Sequence, residues 1–151
     1  MPSGLVSLVE LKGGPGVWGE ALVALDRENL PGEAWELATW VDFMEVGVQV
    51  ILGLEGQRPV AFLSWQPLDQ GLVEILKLAV TPASRRQGWA ERLIGTLVEK
   101  IGPQTKVWLE LRESNLPAQT LYLKQGFVSI GRRKQYYSNP VEDGLLFEKG
   151  T

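Results

Sequence analysis

The order of hydrophobic periodicities along this 151-residue chain predicts one mixed α/β domain, a mostly antiparallel sheet with helices on both faces. Three observations predict it. Two helical repeats come first and are followed by three short apolar runs separated by turn residues. An apolar strand then passes through a glycine loop into an amphipathic helix. A further strand and helix lead to a closing pair of strands.

Residues 17–29 place Val17, Trp18, Ala21, Leu22 and Leu25 at helical spacing and end ahead of Pro31. A second helix is expected over about 33–45. Residues 46–54 and 60–65 are rich in β-branched and apolar side chains, and Glu55-Gly56-Gln57-Arg58 joins them as a hairpin. Residues 67–71 read as another turn, so a strand over 72–80 completes three antiparallel strands. Pro82 and Ser84 end that strand and supply turn and capping chemistry. In the helix behind the loop, Ala90, Leu93, Ile94, Leu97, Val98 and Ile101 form one stripe, with Glu91, Arg92, Glu99 and Lys100 mainly opposite. Gly102-Pro103 stops it.

Residues 106–112 alternate, Val107, Leu109 and Leu111 on one face and Trp108, Glu110 and Arg112 on the other, as in a strand with one polar face. Ser114 or Asn115 can cap a helix that accepts Pro117 in its first turn and ends at Gly126. The next strand begins over 127–130, and Tyr136-Tyr137 and residues 145–148 read as a last strand pair around a polar turn. No internal repeat or low-complexity linker interrupts the chain, so residues 1–151 are expected to form a single domain.

Composition narrows the chemistry. An apolar fraction of 44% and a charged fraction of 22% are those of a soluble globular protein. With no run of about 20 apolar residues and no lysine-led apolar leader, the expectation is a cytoplasmic protein without a membrane partner. Zero cysteines and zero histidines remove disulfides, thiolate nucleophiles, the commonest general base and the commonest transition-metal ligands, so no metal is expected. Catalysis must run on carboxylates, tyrosine, lysine, hydroxyls or water. A formal charge of -3 argues against a nucleic-acid surface, although Arg132-Arg133-Lys134 is a local basic run.

Arg85-Arg86-Gln87-Gly88-Trp89-Ala90 lies where the strand over 72–80 gives way to the helix. The first amides of a helix have no internal partner and point outward beside the positive end of its dipole, and Gly88 removes the side chain that would block close approach. This is an anion site of the kind that holds a phosphate.

The spacing of Arg85, Gly88 and Ala90 resembles the R/Q-x-x-G-x-G/A pyrophosphate loop of the GNAT superfamily of N-acetyltransferases. Further on, Glu110-Leu111-Arg112-Glu113-Ser114-Asn115-Leu116-Pro117-Ala118, Leu121-Tyr122 and Gly126-Phe127 are similar to the LEVR-x-SN-x-x-A-x-x-LY-x-x-x-GF segment of the ribosomal-protein-alanine N-acetyltransferases, the RimI family. The similarity continues through Gly131-Arg132-Arg133, Tyr136-Tyr137 and Glu142-Asp143, and it covers about half the chain, residues 76–147. Leu111, Gly144 and Trp89 depart from the usual residues at their positions, and the first 70 residues match far less clearly.

The resemblance implies a GNAT fold with a V-shaped split between the strands over 72–80 and 106–112, and acetyl-CoA as acetyl donor. It places cofactor binding at Leu78, Ala79, Val80, Arg85, Arg86, Gln87, Gly88, Trp89, Ala90 and Asn115, with Asn115 equally suited to cap its helix. An α-amine of pKa about 7.7 to 8.0 is mostly protonated at neutral pH and cannot attack a thioester until a base takes the proton. The resemblance gives Glu110 that role, on a polar face where partial burial would raise its pKa. The departing thiolate needs a proton, and the resemblance gives that role to Tyr122. With no Cys to carry an acyl group, transfer is expected to be direct, within a ternary complex. Tyr136, Tyr137, Arg132, Arg133 and Glu142 are candidates to line or support an acceptor groove, with Glu142 or Asp143 as acidic rim groups for a basic peptide; the alternative, preferred for any one of them, is sheet packing by the tyrosines and a solvated charged turn. The expected acceptor is the N-terminal alanine of a small-subunit ribosomal protein. A small amine such as an amino acid, polyamine or aminoglycoside is the alternative substrate, and a non-catalytic acyl-CoA-binding regulator is the alternative class.

Overall fold

A computed structural model describes residues 5–150. The strands are β1 (Val6–Leu11), β2 (Gln49–Glu55), β3 (Arg58–Asp69), β4 (Leu72–Val80), β5 (Lys106–Arg112), β6 (Val128–Tyr137) and β7 (Glu142–Lys149). The helices are α1 (Gly19–Asn29), α2 (Leu37–Glu45), α3 (Trp89–Ile101) and α4 (Leu116–Lys124). The strands form one seven-stranded sheet in the order β1-β2-β3-β4-β5-β7-β6. Every pairing is antiparallel except that of β4 with β5.

The expected fold class holds, with helices on both faces. Leu22 and Leu25 of α1 and Trp40 and Met44 of α2 bury against Val50, Leu52 and Phe62 on one face. Trp89, Leu93 and Leu97 of α3 and Tyr122 of α4 bury against Leu63, Val107 and Leu109 on the other. The stripe read along α3 is the face that packs, and Glu91, Arg92, Glu99 and Lys100 are exposed.

Several boundaries move. An edge strand, β1, precedes the first expected helix and pairs with β2. The helix expected from Val17 begins with a 3-10 turn over Gly16–Trp18. The second helix starts at Leu37 rather than about residue 33, because the segment ahead of it gives its backbone groups to other partners: the Trp35 amide donates to Asp26 and the Glu33 carbonyl accepts from Lys77. Pro67 lies inside β3 rather than in a turn, at a point where β2 has already ended and no ladder bond is lost on that side. The two segments expected around 127–130 and Tyr136-Tyr137 are one strand, β6.

The split is a matter of register. β4 pairs with β5 only through Leu72–Lys106, Val73–Val107 and Glu74–Trp108. Beyond that, β4 stays bound to β3 as far as Val80–Ala61, and β5 stays bound to β7 as far as Arg112–Gly144, so the facing edges of the two strands open apart. A bulge marks the divergence: Ser64 faces Lys77 and Trp65 faces Ile75, leaving Leu76 without a partner. The extra residue resets which side chains face which helices. Val73 and Ile75 face α3 and α4, Leu76, Lys77 and Ala79 face α1 and α2, and Leu78 and Val80 return to the α3 and α4 side.

Candidate active site

α3 starts at the open end of β4, and its cap is Gly88, whose φ of +82° is left-handed. Arg86, at φ +62°, is left-handed as well, so the loop turns sharply before the helix. The first helical bond is that from the Arg92 amide to the Gly88 carbonyl (3.0 Å), leaving the amides of Trp89, Ala90 and Glu91 without an intrahelical partner. A Cβ on Gly88 would have nothing within 4 Å, so it is backbone conformation rather than crowding that selects glycine here. The bulky Trp89 is an anchor. Its ring is 4% exposed and lies over Gly53 of β2, where a Cβ would come within 2.5 Å of it, and its indole N–H donates to Glu55 (3.3 Å).

A cleft of about 560 Å³ opens in front of this loop. It is lined by Leu78, Ala79 and Val80 of the free β4 edge, by Arg85, Arg86, Gly88, Trp89 and Ala90, and by Asn115 and Ala118 at the start of α4. Nine of the ten expected cofactor-binding residues therefore line one cavity. Gln87 is the exception: its side chain turns back to the Ala83 carbonyl (3.4 Å). Arg85 donates to the Val80 carbonyl and to the Asn29 side chain, both at 3.0 Å. Asn115 does cap α4, its Oδ1 accepting from the Ala118 amide (3.2 Å), while Ser114 bonds instead to Glu142. A peptide-like chain laid along the β4 edge with an anion at the α3 N-terminus fits these donors and acceptors.

Glu110 and Tyr122 do not line this cleft; they stand on opposite faces of the sheet at the split. Tyr122, on α4, is buried edge-on against Phe127 (5.3 Å between ring centres) and has no side-chain hydrogen bond among the described residues. Burial raises its phenol well above the ordinary value of about 10, so it holds its proton at neutral pH. Glu110 projects from β5 opposite Val107, Leu109 and Leu111, toward the α1 and α2 side. Its Oε2 is buried without a hydrogen bond and lies 3.3 Å from Arg133 Nε. Burial lifts its carboxyl above the ordinary range; the Arg133 guanidinium opposes the rise and the Glu74 carboxylate adds to it.

The basic run on β6 divides. Arg133 faces Glu110 and lies over the Tyr136 ring (5.2 Å), whereas Arg132 pairs with Glu113 and with Asp143 (2.9 Å). The acids expected to form an acceptor rim are already engaged. Glu142 accepts from Arg112 and from the Ser114 amide and hydroxyl, all at 3.0 Å, and Asp143 accepts from Arg132 and the Gln135 amide. Arg112 also binds the Pro140 and Ser138 carbonyls and lies 4.6 Å from the Tyr137 ring, so this network shapes the β6–β7 turn. Both acids are thus part of the structured turn, the alternative to an acceptor rim that the sequence left open.

Two further acids act near these groups. Glu74 sits on β4 and bonds to Gln66 (3.1 Å); burial raises the Tyr137 phenol, and the charges of Glu33, ahead of α2, and of Glu110 add to the rise. Neither Glu74 nor Glu33 was singled out by spacing, though Glu74 and Lys77 do stand out as charges inside an otherwise apolar strand.

The acetyltransferase (GNAT) family pattern matches residues 19–127, and the chain belongs to that family. It is 42% identical over 72 residues to the [ribosomal protein bS18]-alanine N-acetyltransferase of Haemophilus ducreyi, a match covering 46% of this chain and 48% of that one. It is 32% identical over 119 residues to the catalytic subunit of the N-terminal acetyltransferase B complex of Arabidopsis thaliana, covering 75% of this chain and 65% of that one. The crystal structure of the ribosomal-protein-S18-alanine N-acetyltransferase from Escherichia coli shares the fold, with a TM-score of 0.83 at 21% identity over 96% of this chain and 93% of that one. The chain spans about half the length of the bS18-alanine relative it matches.

Proposed function

We propose that this chain is an acetyl-CoA-dependent N-acetyltransferase that acts on protein N-termini, with the N-terminal alanine of a small-subunit ribosomal protein as acceptor. The observation that carries the reading is the position of Glu110, a desolvated carboxyl with an unbonded oxygen at the point where the cleft along β4 meets the other face of the sheet. The choice of acceptor is supported by the name of one similar protein, a [ribosomal protein bS18]-alanine N-acetyltransferase, and the choice of protein N-termini by that of the other.

When bound, acetyl-CoA supplies an activated thioester. The β4 edge at Leu78, Ala79 and Val80 offers backbone groups to amides of an extended arm, while the α3 N-terminus with Arg85 and Arg86 receives a pyrophosphate. Asn115 keeps its side-chain NH2 for the same arm while its oxygen caps α4. On the other side of the split, Glu110 takes the proton of the incoming ammonium, directly or through one water, and its raised pKa brings it nearer that of the amine. Tyr122 keeps its proton at neutral pH just behind the stretch of cleft lining formed by Ala118 and Leu121 of its own helix, and it is the donor proposed here for the departing sulfur. No thiol is present to carry the acyl group, so transfer is direct and both substrates occupy the split together.

Incubating the protein with acetyl-CoA, peptides beginning with Ala and a panel of small amines tests this. Acetylation of the peptide α-amine is expected. Modification confined to lysine side chains or to small amines would overturn the acceptor assignment, and no CoA release with any amine would overturn the enzymatic one.

A further inference from the structure

The end of α1 reaches the cleft. Asn29, its last residue, lines the same cavity as the β4 edge and the α3 loop, although it is not among the residues that the family resemblance assigns to the cofactor. The Asn29 side chain is used at both ends: Nδ2 donates back to the Leu25 carbonyl one turn earlier (2.9 Å), and Oδ1 accepts from Arg85 Nη2 (3.0 Å). The first bond fixes which way the amide faces, so that an acceptor is what Arg85 meets. Arg85 Nε donates in turn to the Val80 carbonyl (3.0 Å). Nε and Nη2 lie along one edge of the planar guanidinium, and bonds to both pin its plane. Nη1 and the second Nη2 proton form the end of the fork, the pair of donors with which an arginine binds phosphate oxygens.

The outer part of this loop depends on that bond. Among the described residues, the other bonds of 85–88 stay inside the loop or run to α3: the Arg85 amide to the Pro82 carbonyl (3.3 Å), Gln87 to the Ala83 carbonyl (3.4 Å), and the Arg92 amide to the Gly88 carbonyl (3.0 Å). α1 is a firm support, because Leu22 and Leu25 are buried against the sheet. Its last turn also takes the end of β4, with Glu28 Oε1 accepting from Thr81 Oγ1 (2.9 Å). Without Asn29 the guanidinium keeps only the Val80 bond and is free to swing, so a bound phosphate would have to order it.

We propose that Asn29 is a positioning residue for the cofactor: from the last turn of α1 it orients Arg85 so that the end of the fork meets the pyrophosphate, and it sets the affinity for coenzyme A through Arg85 rather than by a contact of its own. This rests on the acyl-transfer reading above. The test is a cycle of Asn29→Ala, Arg85→Ala and the double variant, each titrated with coenzyme A by calorimetry. Alanine is the best helix former, so α1 keeps its last turn in these variants. Asn29→Ala is expected to raise Kd about fivefold, as for the loss of one net hydrogen bond. Once Arg85 is already alanine, the same change is expected to matter by less than about twofold. In turnover the acetyl-CoA KM is expected to rise by the factor seen in Kd, with kcat and the acceptor KM within about twofold of wild type. A Kd for Asn29→Ala within about twofold of wild type would overturn the proposal. So would a loss that persists in full in the Arg85→Ala background, because Asn29 would then touch the cofactor itself. If the wild-type protein binds coenzyme A and acetylates no amine, the function assigned above fails, and the titrations still decide the role of Asn29. If it does not bind coenzyme A, both are overturned.

Discussion

On the α3 and α4 side of the split, backbone amides and a free strand edge held in place by apolar packing face the cleft, together with Arg85, Arg86 and Asn115. On the α1 and α2 side the corresponding groups are charged side chains held by one another. Trp89 illustrates the first kind of construction: its ring fills the space over Gly53, and the loop amides follow from where the helix starts. Glu110 illustrates the second, since its proton affinity depends on Arg133 and Glu74, which come from two other strands. The difference teaches that the α3 and α4 side, proposed to hold the cofactor, should respond to substitution through conformation and the α1 and α2 side through charge.

The largest effect expected from this contrast is on stability. Trp89→Ala removes a buried ring from beneath the cofactor loop and is expected to cost about 3–5 kcal/mol in denaturant unfolding, as in other large-to-small core substitutions. A change under about 1 kcal/mol would mean that the loop is not anchored by the core. Next is Gly88→Ala, where open space removes any clash and the left-handed φ remains; about 1–2 kcal/mol of backbone strain is expected. It should appear as a several-fold higher acetyl-CoA KM with the acceptor KM unchanged, and the contrast breaks if the acceptor KM moves instead.

The smallest effects sharpen the comparison most. As the proposed base, Glu110 must be unprotonated to accept a proton, and on that reading its pKa sets the acidic limb of kcat/KM against pH. Arg133 lowers that pKa, and Arg133→Gln is expected to move the limb to higher pH; Glu74 raises it, and Glu74→Gln is expected to move the limb to lower pH. Shifts of opposite sign identify the charges as the cause. Shifts of the same sign, or none, would place the base elsewhere.

The cofactor side was the more legible in sequence, for a physical reason. A strand, a glycine turn and a helix are local, and the stripe from Ala90 to Ile101 reports its own buried face. β5 was equally plain, because its alternation needs no distant partner. The α1 and α2 side is assembled from residues far apart. Lys77 meets Asp26 across 51 positions, and the strand periodicity alone would have put Lys77 on the same face as Ile75; the bulge at Leu76 reverses that. The sequence left Glu142 and Asp143 open between an acidic rim and a charged turn; Arg112, Arg132 and the Ser114 amide engage them, and none of those partners follows from spacing. β1 was missed because only Leu11 of its six residues is buried, and its place depends on the ladder with β2.

The assignment of Glu110 as the base at the meeting point of the two sides is tested most directly by Glu110→Gln, measured for acetyl-CoA affinity and for turnover across pH. Affinity within about twofold of wild type, kcat lower by about 10²–10⁴-fold and loss of the acidic limb are expected. Turnover within about threefold of wild type, with the limb still present, would contradict it.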